Sequence, residues 1–529
     1  MFLLLTSLLF FSSTLSILGQ NYIQIDGLKG NYIQEDITSF DGTILKSIYF
    51  DPKPSSNSIN NKNPVVIFIS SWGLNKWEYV VPANELYERG YTVVSYTARG
   101  FWQSGGYIDL AGPNDMGDLQ TVIDWVIANT NGDPDRIGLS GISYGAGISL
   151  LGASKDSRVK SVAAMSGWVD LAQSFLGSGE TIKTEAARLL QVAAVTLGKP
   201  SETLNTIFED YFSNTNLDYL YEATAPSSAI NFLDGMNQNG AAIFIAQALG
   251  DSLFTPNQFP SYFDKLTNPK HIEFAPGDHA GPEMTGLFGL PNQIWTRATE
   301  WNDYYLLNNN KGVYTGMSQV IYNTMNGDEV EEYDSLSQVT TSYLKYELQT
   351  KETLKSKRLG EDLFADSTIS SFTTGTSANI SGGVAYVSAT VEAYIDVQKP
   401  FKMNDISRVY GNVFISDRFT SNQKFRGVPT LNLNLISSST NGTIIVYFVS
   451  IDRLGFGHLF TFAPWTFKNV TPNQQFNLPV EVTMTSYDMP SGNKLGIVVA
   501  THDRLYLDQC TTGSTISILS GSTLSMPIH

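Results

Sequence analysis

The chain has 529 residues, too many for one ordinary hydrophobic core, so two or more domains are expected. Its 33 Lys and Arg against 50 Asp and Glu give a net charge of −17, which argues against nucleic acid or an anionic membrane surface as partner. A single cysteine, Cys510, rules out an intrachain disulfide and any cysteine-based metal site, and no cofactor is called for.

The first 19 residues, MFLLLTSLLFFSSTLSILG, are apolar or small-polar and carry no charge. They read as a secretory signal without the usual basic n-region, with the mature chain starting near Gln20. An uncleaved anchor is the competing reading, because the run approaches spanning length. No later segment is apolar enough to span, so no membrane contact is expected once the signal is cleaved.

From residue 40 to 310 strand-like and helix-like patterns alternate. TILKSIYF (Thr43–Phe50) alternates as a half-buried strand, whereas PVVIFISS (Pro64–Ser71) and YTVVSYTA (Tyr91–Ala98) are continuous runs suited to buried parallel strands. Between these two, Asn75–Gly90 reads as a helix closed by Gly90. Asp115–Thr130 reads as a second helix, with Leu119, Val122, Ile123, Val126 and Ile127 on one face. Strands follow at Arg136–Gly141, Val159–Gly167 and Ala241–Gly250, which makes a doubly wound α/β sheet. Residues 170–235 interrupt it with helical segments, as a cap over the sheet's carboxyl edge would. After Gly312 short Thr/Val/Tyr/Ile-rich runs, such as AYVSATVEAYIDV, TIIVYFVSID and KLGIVVATHD, predict a β-sandwich or jelly roll over 313–529. The catalytic unit is then expected at 20–312.

RIGLSGISYGAGISLLGA (Arg136–Ala153) carries the chemistry. A strand rises into G-I-S-Y-G and a helical run leaves it, the setting that a nucleophile elbow requires. The bland alternative is a small residue in a Gly-rich turn. A serine needs a base within hydrogen-bond reach, and the base needs an acid to hold its tautomer. In α/β-hydrolases these follow in the order Ser, Asp or Glu, His.

Of five histidines, His271 and His279 alone follow Ser143 within the α/β region. His279 sits in a Gly/Pro-rich loop after a strand, where a base belongs. His271 opens that strand at the far end and reads as structural or solvated. His458, His502 and His529 fall in the β-rich part. Asp251 follows a buried strand and is the expected acid; Asp170 and Asp278 are its rivals, the latter better placed to hold the loop. The oxyanion is assigned to the Tyr144 amide and to the loop after PVVIFISS, with Trp72 as second donor. Acceptors for N-glycosylation stand at Asn379, Asn441 and Asn469, consistent with secretion.

These residues also resemble the X-prolyl dipeptidyl peptidase and cocaine-esterase family of α/β-hydrolases, serine hydrolases with a C-terminal jelly roll. The likeness runs from DGTILKSIYFDP through ARGFWQSGG, GDLQTVIDWV, the G-x-S-Y-G elbow, GDSLFTPNQ, PGDHAG and WNDYYLLNNNKG to RGVPTLNLNLISSSTNGTIIVYFVSID. It implies Ser143 as nucleophile, Asp251 as acid and His279 as base, with removal of X-Pro dipeptides as the expected activity and hydrolysis of acyl esters and amides as the alternative. Trp102 replaces the second Gly of the R-G-x-G loop. Trp72 occupies the region where the esterase branch supplies an oxyanion tyrosine. A dipeptidyl peptidase must also hold a free amine, for which Glu180, Glu185, Glu209 and Asp210 are candidates, each also readable as a solvated helix charge. A non-catalytic binding protein on the same fold is the alternative of another class. Oligomeric state stays open.

Overall fold

The computed structural model describes residues 22–23, 30, 32–307, 312, 314–327, 329–350, 352–356, 367–395 and 400–529. The expected signal at 1–19 lies outside these. Among the described residues no helix is long and apolar enough to cross a membrane.

Among the described residues eleven strands form the first sheet: β1 (Tyr22–Ile23), β2 (Tyr32–Thr38), β3 (Ile44–Phe50), β4 (Asn63–Ile69), β5 (Thr92–Tyr96), β6 (Gly132–Ile142), β7 (Val159–Met165), β8 (Ala242–Ala248), β9 (Lys270–Ala275), β10 (Val320–Asn323) and β11 (Val330–Tyr333). Their spatial order is 1-2-3-5-4-6-7-8-9-10-11. From β5 to β10 every neighbouring pair is parallel, while β1, β2 and β3 are antiparallel at one edge and β11 at the other. β4, β5 and β8 are buried at every position, as their unbroken apolar runs require. The helices Val80–Glu88 and Pro113–Asn129 match the expected periodicity, and the second buries Leu119, Val122, Ile123 and Val126.

β4 pairs with β5 on one side and β6 on the other, so the winding direction reverses there. Loops leaving the carboxyl ends of β4 and β6 diverge and open a crevice, the standard ligand position of such sheets. Five helices, Leu171–Leu176, Thr184–Leu197, Glu202–Ser213, Leu217–Thr224 and Leu233–Asn239, intervene between β7 and β8. They realise the insertion expected at 170–235.

The α/β sheet does not stop at Gly312. β10 joins β9 in parallel and β11 returns beside it, so two strands after Gly312 complete the first sheet. Short β-branched strands carry no mark of the sheet they will join, which is why the sequence assigned this pair to the β-rich part.

Among the described residues the second, all-β domain holds fourteen strands, from Ser342–Gln349 to Thr523–Ile528. Leu431, Leu433 and Leu435 alternate inward along Thr430–Ser437, facing a core with Ile444, Val446, Phe448, Ile497 and Val499. AYVSATVEAYIDV departs from expectation: Ser388–Ile395 is a helix. Tertiary contacts decide it, because Thr390 and Tyr394, one turn apart, both bond the loop after β9.

Candidate active site

Ser143 sits between β6 and the helix Tyr144–Lys155 with φ 58° and ψ −115°, a conformation costly for a side chain and typical of functional turns. Its neighbours must be glycine. A Cβ at Gly145 would lie 2.1 Å from the Ile69 carbonyl oxygen, and one at Gly141 would lie 2.7 Å from the Gly145 backbone. The Ser143 amide donates to the Met165 carbonyl (2.9 Å), which ties the turn to β7.

His279 reaches Ser143 from the loop after β9: its Nε2 lies 2.8 Å from Ser143 Oγ. Its Nδ1 lies 3.0 Å from Asp251 Oδ2. Nδ1 therefore donates to the carboxylate and Nε2 accepts from the hydroxyl. The other carboxylate oxygen of Asp251 accepts the Leu253 and Phe254 amides (2.9 and 2.6 Å), and Gln247 Nε2 donates to Oδ2 (2.9 Å). All three residues are buried. Burial works against a charged His279, but the Asp251 charge and hydrogen bond outweigh it and hold the imidazole above its ordinary range. A serine hydroxyl on an oriented, carboxylate-backed imidazole can act as a nucleophile.

The rival acids have other work. Asp170 caps the helix Leu171–Leu176 through the Gln173 amide (3.0 Å). Asp278 Oδ1 accepts the Ser252 and His279 amides (both 2.7 Å), which joins the two loops. His271 is fully buried, stacks on Phe244 and bonds the Ser318 carbonyl at 2.7 Å; burial pushes its pKa down to about 3. His458, His502 and His529 lie near Asp452, Asp508 and the Val339 carbonyl, in contacts remote from Ser143.

Tyr144 opens its helix, so its amide lacks an intrahelical acceptor, and the residue lines the cleft beside Ser143. Trp72 borders the same cleft, but its indole N–H is engaged: it donates to the Leu190 carbonyl of the insertion (3.0 Å). Only its backbone is left for an oxyanion. Ser71, just before it, is locked by Glu78, whose Oε2 accepts the Ser71 amide (2.7 Å) and whose Oε1 accepts the Ser71 hydroxyl (2.6 Å). Burial pushes Glu78 up to about 7. The Tyr144 phenol points away and donates to buried Asp115 (2.8 Å), whose pKa burial and then Asp109 raise to about 8.

Sequence reasoning missed Glu78, Asp115 and Tyr386. Tyr386, from the all-β domain, packs its ring T-shaped against His279 at 5.6 Å, as Phe254 does at 4.9 Å. Trp102, at the place of a family glycine, adopts φ 51°, the left-handed region that glycine prefers, and its indole bonds the Gly73 carbonyl (3.0 Å).

The cleft at Ser143 is small, about 20 Å³, and apolar: Trp72, Leu110, Trp168, Phe175, Leu190 and Phe254 wall it. A larger cavity of about 520 Å³ lies between the insertion, the Asp251 loop and the all-β domain. Asp251 and Asp278 reach its wall, whereas Ser143 lines the smaller cleft. None of the four candidate carboxylates lines that cleft. Glu180 pairs with Lys468, Glu185 with Arg504, Asp210 accepts from Asn216, and Glu209 is exposed. Asn379 and Asn469 are exposed, while Asn441 is half-buried and accepts the Asn469 amide (2.8 Å). Among the described residues no cluster of three His, Cys, Asp or Glu is placed to hold a metal.

Residues 41–281 match the model of X-Pro dipeptidyl-peptidase (S15 family), and residues 311–526 match that of the X-Pro dipeptidyl-peptidase C-terminal non-catalytic domain. Three solved structures share the fold over nearly both chains. An aminopeptidase from a marine sediment archaeon, Thaumarchaeota archaeon, has TM-score 0.72 and 13% identity over 97% of this chain and 98% of its own. An alpha-amino acid ester hydrolase has 0.70 and 14% over 98% and 99%. A CocE/NonD family hydrolase from Staphylococcus aureus has 0.71 and 13% over 96% of each. The chain is also 29% identical over 155 residues, 29% of its length, to an uncharacterized 31.7 kDa protein of Escherichia coli and spans about half (52%) of that relative.

Proposed function

The chain belongs to the X-Pro dipeptidyl-peptidase (S15) family and is a serine hydrolase, and from that premise we propose that it cleaves carboxylic esters or amides bearing a compact apolar acyl group, with Ser143, His279 and Asp251 as its triad. The observation that carries this reading is the continuous hydrogen-bond chain from Ser143 Oγ through His279 to Asp251, opening on an apolar cleft.

In the proposed cycle Ser143 Oγ attacks the substrate carbonyl and its proton passes to His279 Nε2. Asp251 stabilises the imidazolium that results. The new oxyanion is met by the Tyr144 amide and by the backbone at Trp72, donors fixed before reaction by a helix start and by the Ser71–Glu78 lock. His279 then returns the proton to the leaving oxygen or nitrogen, and the acyl-enzyme forms as the old bond breaks. Water, deprotonated by the same imidazole, releases the acid and restores Ser143.

The family match favours a second reading, removal of X-Pro dipeptides from peptide N-termini. Aromatic walls suit a proline ring, but a buried ammonium needs a counter-charge, and the cleft's lining carries no carboxylate. Side-by-side turnover of a short-chain p-nitrophenyl ester and an Ala-Pro anilide tests the choice. The ester is expected to be cleaved at least tenfold more efficiently; the reverse order would establish the peptidase.

Secretion remains part of the proposal. It is supported by the uncharged apolar leader and by acceptors at exposed Asn379 and Asn469. N-terminal sequencing of protein recovered from culture medium tests it, with a start near Gln20 expected.

A further inference from the structure

The helical insertion sends one charged side chain toward the proposed triad. Lys183, just ahead of the helix Thr184–Leu197, is only 7% exposed, and its Nζ donates to the Leu253 carbonyl at 2.7 Å. Leu253 lies in the loop whose Leu253 and Phe254 amides clasp Asp251 Oδ1, so the ammonium pins the strand of chain that presents the acid. Its own backbone is held too: the Lys183 amide donates to Tyr211 Oη (2.7 Å), whose hydroxyl donates to the Phe175 carbonyl (2.6 Å).

The charge matters as much as the bond. Asp251 and Asp278 are both buried, 4% and 3% exposed, on adjoining loops. Two carboxylates sharing a low-dielectric site repel one another and hold protons unless a cation lies near. Burial, and then the Asp251 charge, push Asp278 up to about 6. Both carboxylates oppose the burial that draws Lys183 down to about 8, so the three groups feel one another. Glu283, on the His279 loop, adds a third buried acid that acts on the imidazole. Lys183, Asp251 and Asp278 share the wall of the larger cavity, which on the all-β side is lined by Glu481, Tyr506 and Arg504, the last paired with Glu185.

We propose that Lys183 is a positioning residue of the triad, a cation carried by the insertion that fixes the Asp251 loop through the Leu253 carbonyl and balances the joined charge of Asp251 and Asp278. This rests on the hydrolase reading above. It gives the insertion a second duty: besides walling the acyl cleft, it sets the electrostatics behind the base.

Wild type, Lys183→Met and Lys183→Arg are compared by fluorophosphonate labelling at Ser143 and by kcat and KM for a p-nitrophenyl ester across pH, with circular dichroism and thermal melting as folding controls. Absence of labelling in the folded wild type would overturn the hydrolase mechanism itself, a result separate from those below. With labelling present, Lys183→Met is expected to lower kcat roughly tenfold with KM within about twofold. It is also expected to move the acid limb of kcat/KM up by roughly half a unit, since loss of a cation favours protonated His279. Lys183→Arg keeps the charge and is expected to keep the limb. A folded Lys183→Met with wild-type kcat and limb would overturn the proposal. So would equal losses in both variants with the limb unmoved, the mark of packing alone. If Lys183→Met does not fold, Asp278→Asn decides: removing an anion is expected to move the limb to lower pH, and an unmoved limb would overturn the proposal.

Discussion

His279 Nε2 stands 2.8 Å from Ser143 Oγ although 136 residues separate them. Neither residue could take that position alone. Ser143 is thrust out of the sheet by a turn that only flanking glycines permit. His279 is oriented by Asp251 and packed T-shaped against the rings of Phe254 and Tyr386. Proton transfer from serine to imidazole needs this distance and orientation together.

Asp251 fixes the tautomer, so its charge should matter more than its volume. Asp251→Asn is expected to leave the fold intact and to lower kcat by about 10³–10⁴-fold, because the amide can hold the imidazole in the wrong tautomer. Steady-state kinetics beside a near-ultraviolet dichroism spectrum checks it; a loss under tenfold would remove Asp251 from the proposed triad.

In the proposed triad the acid limb of kcat/KM reports His279. The Asp251 charge and hydrogen bond prevail over burial and raise its pKa, and the reaction needs the neutral form. Activity should therefore fall with decreasing pH at a value above the ordinary imidazole range near 6.5. A limb below that range would contradict the raised value.

Stability should fall as pH rises from about 5 to about 7. Burial lifts Glu78 and Glu283 to about 7, Asp278 to about 6 and Asp115 to about 8, so the folded state keeps protons there that the unfolded chain releases. The folded state then binds more protons, and stability decreases with pH across that window. His279, raised in the fold, acts in the same sense above its unfolded pKa. His271, drawn down to about 3, opposes between 3 and its unfolded value, one group against the four carboxylates and His279. Melting temperatures at pH 5.5 and 7.5 test the sign: the higher is expected at 5.5.

Trp72 separates two accounts of the oxyanion. Its indole bonds Leu190 rather than the crevice, so Trp72→Phe should hold kcat within about threefold and act mainly on KM by loosening the insertion. A fall of about 10²–10³ in kcat would assign the indole itself as donor.

Much of this site is legible in the sequence because it obeys local rules. G-I-S-Y-G between an apolar strand and a helical run marks the elbow, and Asp251 and His279 each follow a later strand run. What stayed hidden depends on distant packing. Glu78 and Asp115 look like ordinary helix charges until Ser71 and the Tyr144 phenol meet them. Tyr386 lies over 100 residues beyond His279, in a run whose alternation suggested strand. Val320–Asn323 reads the same on either sheet, and only its pairing with β9 decides. Trp72 borders the Ser143 cleft, yet no pattern foretold that Leu190 would engage its indole.

The central claim is that Ser143 is the nucleophile, and covalent labelling tests it most directly. The account predicts that a fluorophosphonate adds once to the folded wild type, that peptide mapping places the adduct on Ser143, and that Ser143→Ala and His279→Ala abolish it or slow it by at least a hundredfold. A folded wild type that takes no label, or takes it on another serine, would contradict the account.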